Sequence, residues 1–384
     1  MARKDSPFIV FRTDSSLTIG NGHVMRCLTL ASMLRERGAL CMFICRPFKG
    51  HLIEYIERQG FSAISLPNIS TLSGDIGDAS DSQSVEHWLG TDFATDANDT
   101  INALSASVDL LVIDHYAIDK KWETVLRPRA KNLMVVDDLA NRPHDCDILL
   151  DQNIGSKSAN YDRLLPAGVC KLIGPRYALL RPQFLHLRDY SLSRRQGAMS
   201  FRVLISLGGV DRDNVTQRVI TALHECKFES TLELTIVMGP NAPWIEEVIS
   251  EAKKCRHSTT VLSSVTDMAS LMADSDLAIG AAGSTSWERC ALGVPTLLLI
   301  LAQNQLLVAK RLEEAGGAMV MPIGANFVSV LENFLTYMTS DSGARQKMIN
   351  IASRICDGRG TMRVADTIWK FVFHQSEEVT NATE

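Results

Sequence analysis

Aromatic residues make up only 6% of the 384-residue chain, and Lys and Arg never gather into a run that could neutralise a row of phosphates. That argues against a dedicated nucleic-acid binder, which needs clustered cations and rings for base stacking. No apolar stretch approaches the roughly 20 residues that cross a bilayer; the greatest, Leu297 to Ala302 with its neighbours, stops far short. The opening Met1-Ala2-Arg3-Lys4-Asp5 passes into Phe8-Ile9-Val10-Phe11 without a signal core or a small-residue cleavage site, so export is not expected. Cys-x-x-Cys pairs are missing as well. Nine cysteines, an odd number, are scattered from Cys27 to Cys356, a pattern of reduced, buried thiols in a cytoplasmic protein rather than of disulfides or a metal site. With 39 basic against 44 acidic residues the formal charge is only −5, and the expected partner is a small molecule, with no cofactor, metal or protein partner indicated.

What is present is a large apolar fraction, 46%, enough for two domains at the usual 100–200 residues each. Short Val/Ile/Leu runs alternate with helical periodicity, which predicts an α/β fold with parallel sheets covered on both faces. In the first half the strands are expected near 9–11, 40–44, 63–66, 110–114, 134–137 and 148–150. In the second they are expected near 203–207, 234–238, 260–262, 277–279, 296–300 and 319–321. Between strands 9–11 and 40–44, Val24, Cys27, Leu28, Ala31 and Leu34 follow helical spacing, with Gly38 as terminator. The polar stretch Arg188 to Gly197 reads as a linker, so the domains are set at 1–197 and 198–384. Residues 68–99, rich in Ser, Asp, Thr and Gly, read as a long loop with an ordered island at Val85 to Leu89, and the tail from Ser376 as frayed.

Ligands of parallel sheets bind beyond the strand carboxyl ends, so the loops there carry the information. After the first strand come Arg12-x-Asp14 and Gly20-Asn21-Gly22-His23. Gly20 and Gly22 allow close approach of backbone to ligand, although Met25 in the third glycine position breaks the dinucleotide fingerprint. His23 sits at a helix start, facing the positive end of the macrodipole, and a neutral imidazole there suits a general base. Asp14 is placed to orient His23 through its other ring nitrogen, or to serve as a turn residue. Asp114-His115-Tyr116 follows a buried run, with Tyr116 suited to a sugar hydroxyl or amide. Asp137-Asp138 reads as a turn and a helix cap. Gly208-Gly209 exposes backbone N–H groups to a phosphate, with Asp213 or Asn214 as the cap of the next helix. The segment 280–290 offers small residues through Gly283, hydroxyls at Ser284 and Thr285, and Glu288, whose carboxylate can accept both ribose hydroxyls. Gln303-Asn304-Gln305 follows the next strand.

Together, Arg12-x-Asp14, Ile19-Gly20-x-Gly22-His23-Val24-x-Arg26, Asp114-His115-Tyr116, Gly208-Gly209-x-Asp211-x-x-Asn214 and Gly280-x-x-Gly283-Ser284-Thr285-x-Trp287-Glu288 resemble one family. It is that of the UDP-2,4-diacetamido-2,4,6-trideoxy-β-L-altropyranose hydrolases of pseudaminic acid biosynthesis. Trp88-Leu89-Gly90 and Tyr177 to Pro182 match as well, so the resemblance runs from about Phe8 to Ala365. It implies a GT-B architecture of two Rossmann-like, doubly wound domains facing a central cleft, and an inverting, metal-independent hydrolysis with His23 as the catalytic residue; Asp14 is set beside it as a catalytic residue by its place in the same loop. It further implies that Tyr116 contacts the sugar, Glu288 the ribose, and Ser284, Thr285 and Asn304 the diphosphate, with Arg12, Gly20, Gly22, Gly208, Gly209, Gly283 and Gln305 also lining the substrate. Three other readings stay open: a hydrolysing 2-epimerase acting on a bacillosamine-type UDP-sugar, a GT-B glycosyltransferase, and a nucleotide-sugar sensor without turnover.

Overall fold

A computed structural model describes residues 6–68, 88–195, 201–228, 231–239, 242–322 and 324–380, the side chains of 374–380 excepted. The expected island before Trp88 and the expected boundary at 197/198 lie outside the described residues.

The first sheet has seven strands, β1 (Phe8–Thr13), β2 (Leu40–Cys45), β3 (Ser62–Ser65), β4 (Val108–Asp114), β5 (Ala130–Val136), β6 (Ile148–Asp151) and β7 (Cys170–Ile173), in the order β3-β2-β1-β4-β5-β6-β7. All of its pairings are parallel. The second has six, β8 (Arg202–Ser206), β9 (Glu233–Met238), β10 (Ser258–Ser263), β11 (Leu277–Ala281), β12 (Thr296–Leu299) and β13 (Met319–Val320), in the order β10-β9-β8-β11-β12-β13, again parallel. Every strand expected from the sequence is present, and the α/β class holds. β7 is the addition. It is a half-exposed edge strand in which only Leu172 is fully buried, so no apolar run marks it.

The central strands are buried on both faces, as their unbroken Val/Ile/Leu composition requires. Ile9, Phe11, Val112 and Val136 pack under α1 (Gly22–Glu36), while Val10, Leu111, Ile113 and Val135 pack against Trp122 and Tyr161 on the other side.

The chain divides into two compact units, Met1–Leu179 with Thr361–Glu384, and Leu180–Gly360. This differs from the division at 197/198 for a physical reason: the stretch expected to be a linker is docked. Arg188 donates to the carbonyls of Ala291, Ser353 and Cys356, and Arg195 to those of Met272, Ser275 and Leu292. Arg194 adds Asp276 at 2.7 Å. These guanidiniums bond carbonyls at helix ends, where the intrahelical ladder leaves acceptors over. The helix Gly360–Thr380 returns to the first unit, where Val364, Ala365 and Ile368 join the core beside Ile9 and Leu172, and Arg37 pairs with Asp366.

Candidate active site

β1 and β4 are neighbours at the place where the first sheet's strand order reverses, with Thr13 in register with Asp114. A crevice opens beyond the strand ends at such a reversal. Leaving β1, the chain folds back on itself. The Gly20 amide donates to Ser16 O at 2.9 Å, Ser16 Oγ accepts from the Thr18 and Ile19 amides, and Ser15 Oγ accepts from the Leu52 amide. This closed loop feeds α1, in which Gly22 is the first residue and His23 the second.

Asp114, fully buried, accepts at Oδ1 from His23 Nδ1 at 2.6 Å, and both of its oxygens accept from Arg26, each at 2.6 Å. Burial on its own would push this carboxyl up; the charges and hydrogen bonds of Arg26 and His23 outweigh it and hold Asp114 well below the usual carboxylate range. An ionised carboxylate can only accept, so His23 Nδ1 carries a proton, and in the neutral ring Nε2 is then the acceptor. Among the described residues Nε2 has no protein partner, and 9% of the His23 side chain stays exposed.

The ring of Tyr116 meets His23 edge to face with centroids 4.7 Å apart, and Trp88 lies 5.6 Å from Tyr116 and 6.4 Å from His23. Tyr116 donates to Asp138 Oδ1 at 2.7 Å, and Asp138 Oδ2 lies 3.5 Å from Arg26 Nη1. The expectation for Asp137-Asp138 is therefore corrected in part. Asp137 does close a turn, accepting from the Ala140 amide, but Asp138 faces Tyr116 and Arg26 instead of capping a helix.

Asp14 does not orient His23; Asp114 does. The Asp14 carboxylate instead accepts from the Arg46 amide at 2.7 Å, lies 2.7 Å from Arg12 and 3.4 Å from His115 Nε2. Arg12 is likewise turned inward. It is wholly buried and donates to Asp96, which also accepts from Arg46 and Trp122, so it offers nothing to a ligand at the surface. Burial, aided by the Arg12 charge, lowers His115 to about 4 despite Asp14, so this ring stays neutral. The pair of Arg12 and Asp14 is a buried strut beneath the site. Asp114, Arg26 and Asp138 were in view in the sequence but without these roles. The signals were the register of two strand ends and the three-residue step from His23 to Arg26, which puts both on one face of a helix.

In the second unit, Gly208 and Gly209 form the turn after β8. A side chain at Gly239, after β9, would run into the Gly209 carbonyl at 1.9 Å, so that close approach of two loops requires glycine. The expected cap at Asp213 or Asn214 is supplied by Asp211, which accepts from the amides of Val215 and Thr216, while Asn214 bonds Gln217.

At the end of β11, the room beside Gly280 is filled by the buried guanidinium of Arg289, which bonds Ala281 O and Thr285 Oγ1. The open space lies at Gly283, whose nearest neighbour is Gln305 Nε2 at 4.0 Å. Ser284 and Asn304 are exposed and Thr285 is half-buried. Glu288 is half-buried with Arg181 at 3.8 Å, and burial pushes its carboxyl up against the pull of Arg181 and Arg289. The structure thus brings His23 together with Tyr116, and Gly283 with Gln305.

Residues 203–355 match the glycosyltransferase family 28 C-terminal domain. An uncharacterized protein of Methanocaldococcus jannaschii is 26% identical over 303 residues, 78% of this chain and 56% of the relative, so the chain spans about half the length of that protein. The UDP-2,4-diacetamido-2,4,6-trideoxy-beta-L-altropyranose hydrolase of Campylobacter jejuni is 25% identical over 309 residues, 80% of this chain and 97% of the relative. Among solved structures, MurG of Acinetobacter baumannii superposes with a TM-score of 0.66 at 17% identity, covering 95% of this chain and 99% of that one. The two parallel sheets with their helices are thus the Rossmann-like domains of the GT-B fold, and the match to the glycosyltransferase family 28 C-terminal domain lies within the second.

Proposed function

We propose that the chain hydrolyses UDP-2,4-diacetamido-2,4,6-trideoxy-β-L-altropyranose, releasing UDP and the free sugar, by attack of water on the anomeric carbon with inversion. The observation that carries this reading is the bond from His23 Nδ1 to Asp114 at 2.6 Å, which leaves Nε2 as the proton acceptor. His23 takes the proton of the attacking water, and Asp114, itself held by Arg26, steadies the imidazolium that forms. Tyr116 binds the sugar. In the second unit Glu288 is assigned to the ribose, and Gly208, Gly209, Gly283, Ser284, Thr285, Asn304 and Gln305 to the nucleotide. Diphosphate is already a good leaving group, and hydroxyls and backbone amides that take up its charge are consistent with a metal-independent reaction. The name of the Campylobacter jejuni relative, matched over nearly its whole length, supports this substrate.

The test is incubation with that UDP-sugar plus EDTA, following UDP and the first-formed anomer by proton NMR, beside His23→Ala. EDTA-resistant release of the inverted, altrose-configured sugar that is lost in the variant is expected. Release of a C2-epimerised sugar would point to the hydrolysing epimerase instead. The match of residues 203–355 to a glycosyltransferase domain favours a second reading, transfer to an acceptor; turnover that requires an added acceptor would establish it.

A further inference from the structure

Arg26 is gripped by two carboxylates, Asp114 at 2.6 Å and Asp138 at 3.5 Å, and the second of these takes the hydroxyl proton of Tyr116 at 2.7 Å. With the edge-to-face contact of Tyr116 on His23 at 4.7 Å, the five residues close a ring. A phenol has one proton to give. An ionised carboxylate beside Arg26 cannot return one, so this proton is committed to the protein and what remains of Tyr116 Oη toward a ligand is lone pairs.

Resting on the hydrolase reading, we propose that Asp138 is a positioning residue that makes Tyr116 an acceptor, so that Tyr116 Oη takes a hydrogen bond from an acetamido N–H of the sugar and turns away an acetamido carbonyl. A tyrosine free to rotate its proton would accept either group and leave the sugar two ways to lie. The committed one leaves a single register, which places the anomeric carbon with respect to His23 Nε2. Burial and, after it, the Asp138 charge push the Tyr116 phenol well up, in keeping with a proton held in place.

The test is a double-mutant cycle with Tyr116→Phe and Asp138→Ala, read as kcat/KM on the diacetamido UDP-sugar. Each single change should cost about 3- to 10-fold, the range of a hydrogen bond between neutral groups. The double variant should be no worse than Tyr116→Phe within about twofold, because Arg26 keeps both of its 2.6 Å bonds to Asp114 when its longer 3.5 Å contact with Asp138 is lost, which leaves Tyr116 as the main route from Asp138 to the sugar. Asp138→Asn, which keeps an acceptor oxygen, should recover most of the loss. Multiplying losses, or wild-type activity of Asp138→Ala, would overturn the inference. A second reading does not depend on turnover. The phenolate absorbance of Tyr116, isolated as wild type minus Tyr116→Phe, should appear at lower pH in Asp138→Asn, and an unmoved titration would equally overturn it. A wild type that holds this titration signature but does not turn over defeats the hydrolase reading instead, leaving the Tyr116–Asp138 geometry standing.

Discussion

His23 and Asp114 make a dyad whose parts fail differently when changed. His23→Ala removes the proton acceptor and should cut kcat by about 10²- to 10⁴-fold with little change in UDP affinity, as steady-state kinetics and calorimetry would read it. Asp114→Asn should cut kcat by a similar factor and also destabilise the fold, since Arg26 then keeps only the more distant Asp138; urea unfolding separates the two effects. His115 adds a pH dependence. Its folded-state value, lowered to about 4 by burial, lies below the ordinary 6.5. Between those values the unfolded chain takes a proton that the native ring refuses, so stability present above about 6.5 is lost as pH falls toward 4, on the order of 3 kcal/mol in all. Asp151, raised to about 6 by burial, works in the opposite sense. The measurement is therefore the difference in urea midpoint between wild type and His115→Asn, which should shrink across that window. A difference that stays constant with pH would refute the assignment. That an aspartate serves His23 was legible in the sequence; which aspartate was not, because Asp14 is close in the chain whereas Asp114 is close only through the pairing of β1 with β4.

At the level of elements, the segment Leu180–Arg195 behaves as part of the second unit because its arginines end on backbone carbonyls. Arg195→Met should strand the Ser275 carbonyl, leave Met272 with only the Ser275 amide and Leu292 with only Ser191 Oγ, and lower the stability of that unit by about 2 kcal/mol, measured by urea unfolding. Arg188 and Arg194 remain to hold the segment in place. Gly239→Ala should be costly too, as the Gly209 carbonyl must move aside; a shift of the 208–209 turn would show as weaker UDP binding in calorimetry. Composition made this stretch look like a free linker, because its polar residues bond to main chain, which a side-chain pattern does not record. The strands, by contrast, were readable wherever burial on both faces forced an apolar run, and β7 escaped because its edge position relaxed that demand.

On the scale of the whole molecule, the second unit, Leu180–Gly360, is an insertion within the first, which is completed only by the helix Gly360–Thr380. Removing residues after Gly360 should uncover Ile9, Leu172 and their neighbours, abolish the cooperative unfolding of the first unit and leave that of the second intact, as calorimetry would show. The same insertion orders events on the ribosome. Synthesis finishes Leu180–Gly360 before Val364, Ala365 and Ile368 exist, so the unit that emerges first must wait with an open apolar face while the one that emerges second folds. The nascent chain is exposed to aggregation or chaperone capture for that interval, and the unit that holds His23 and Asp114 is the later to mature.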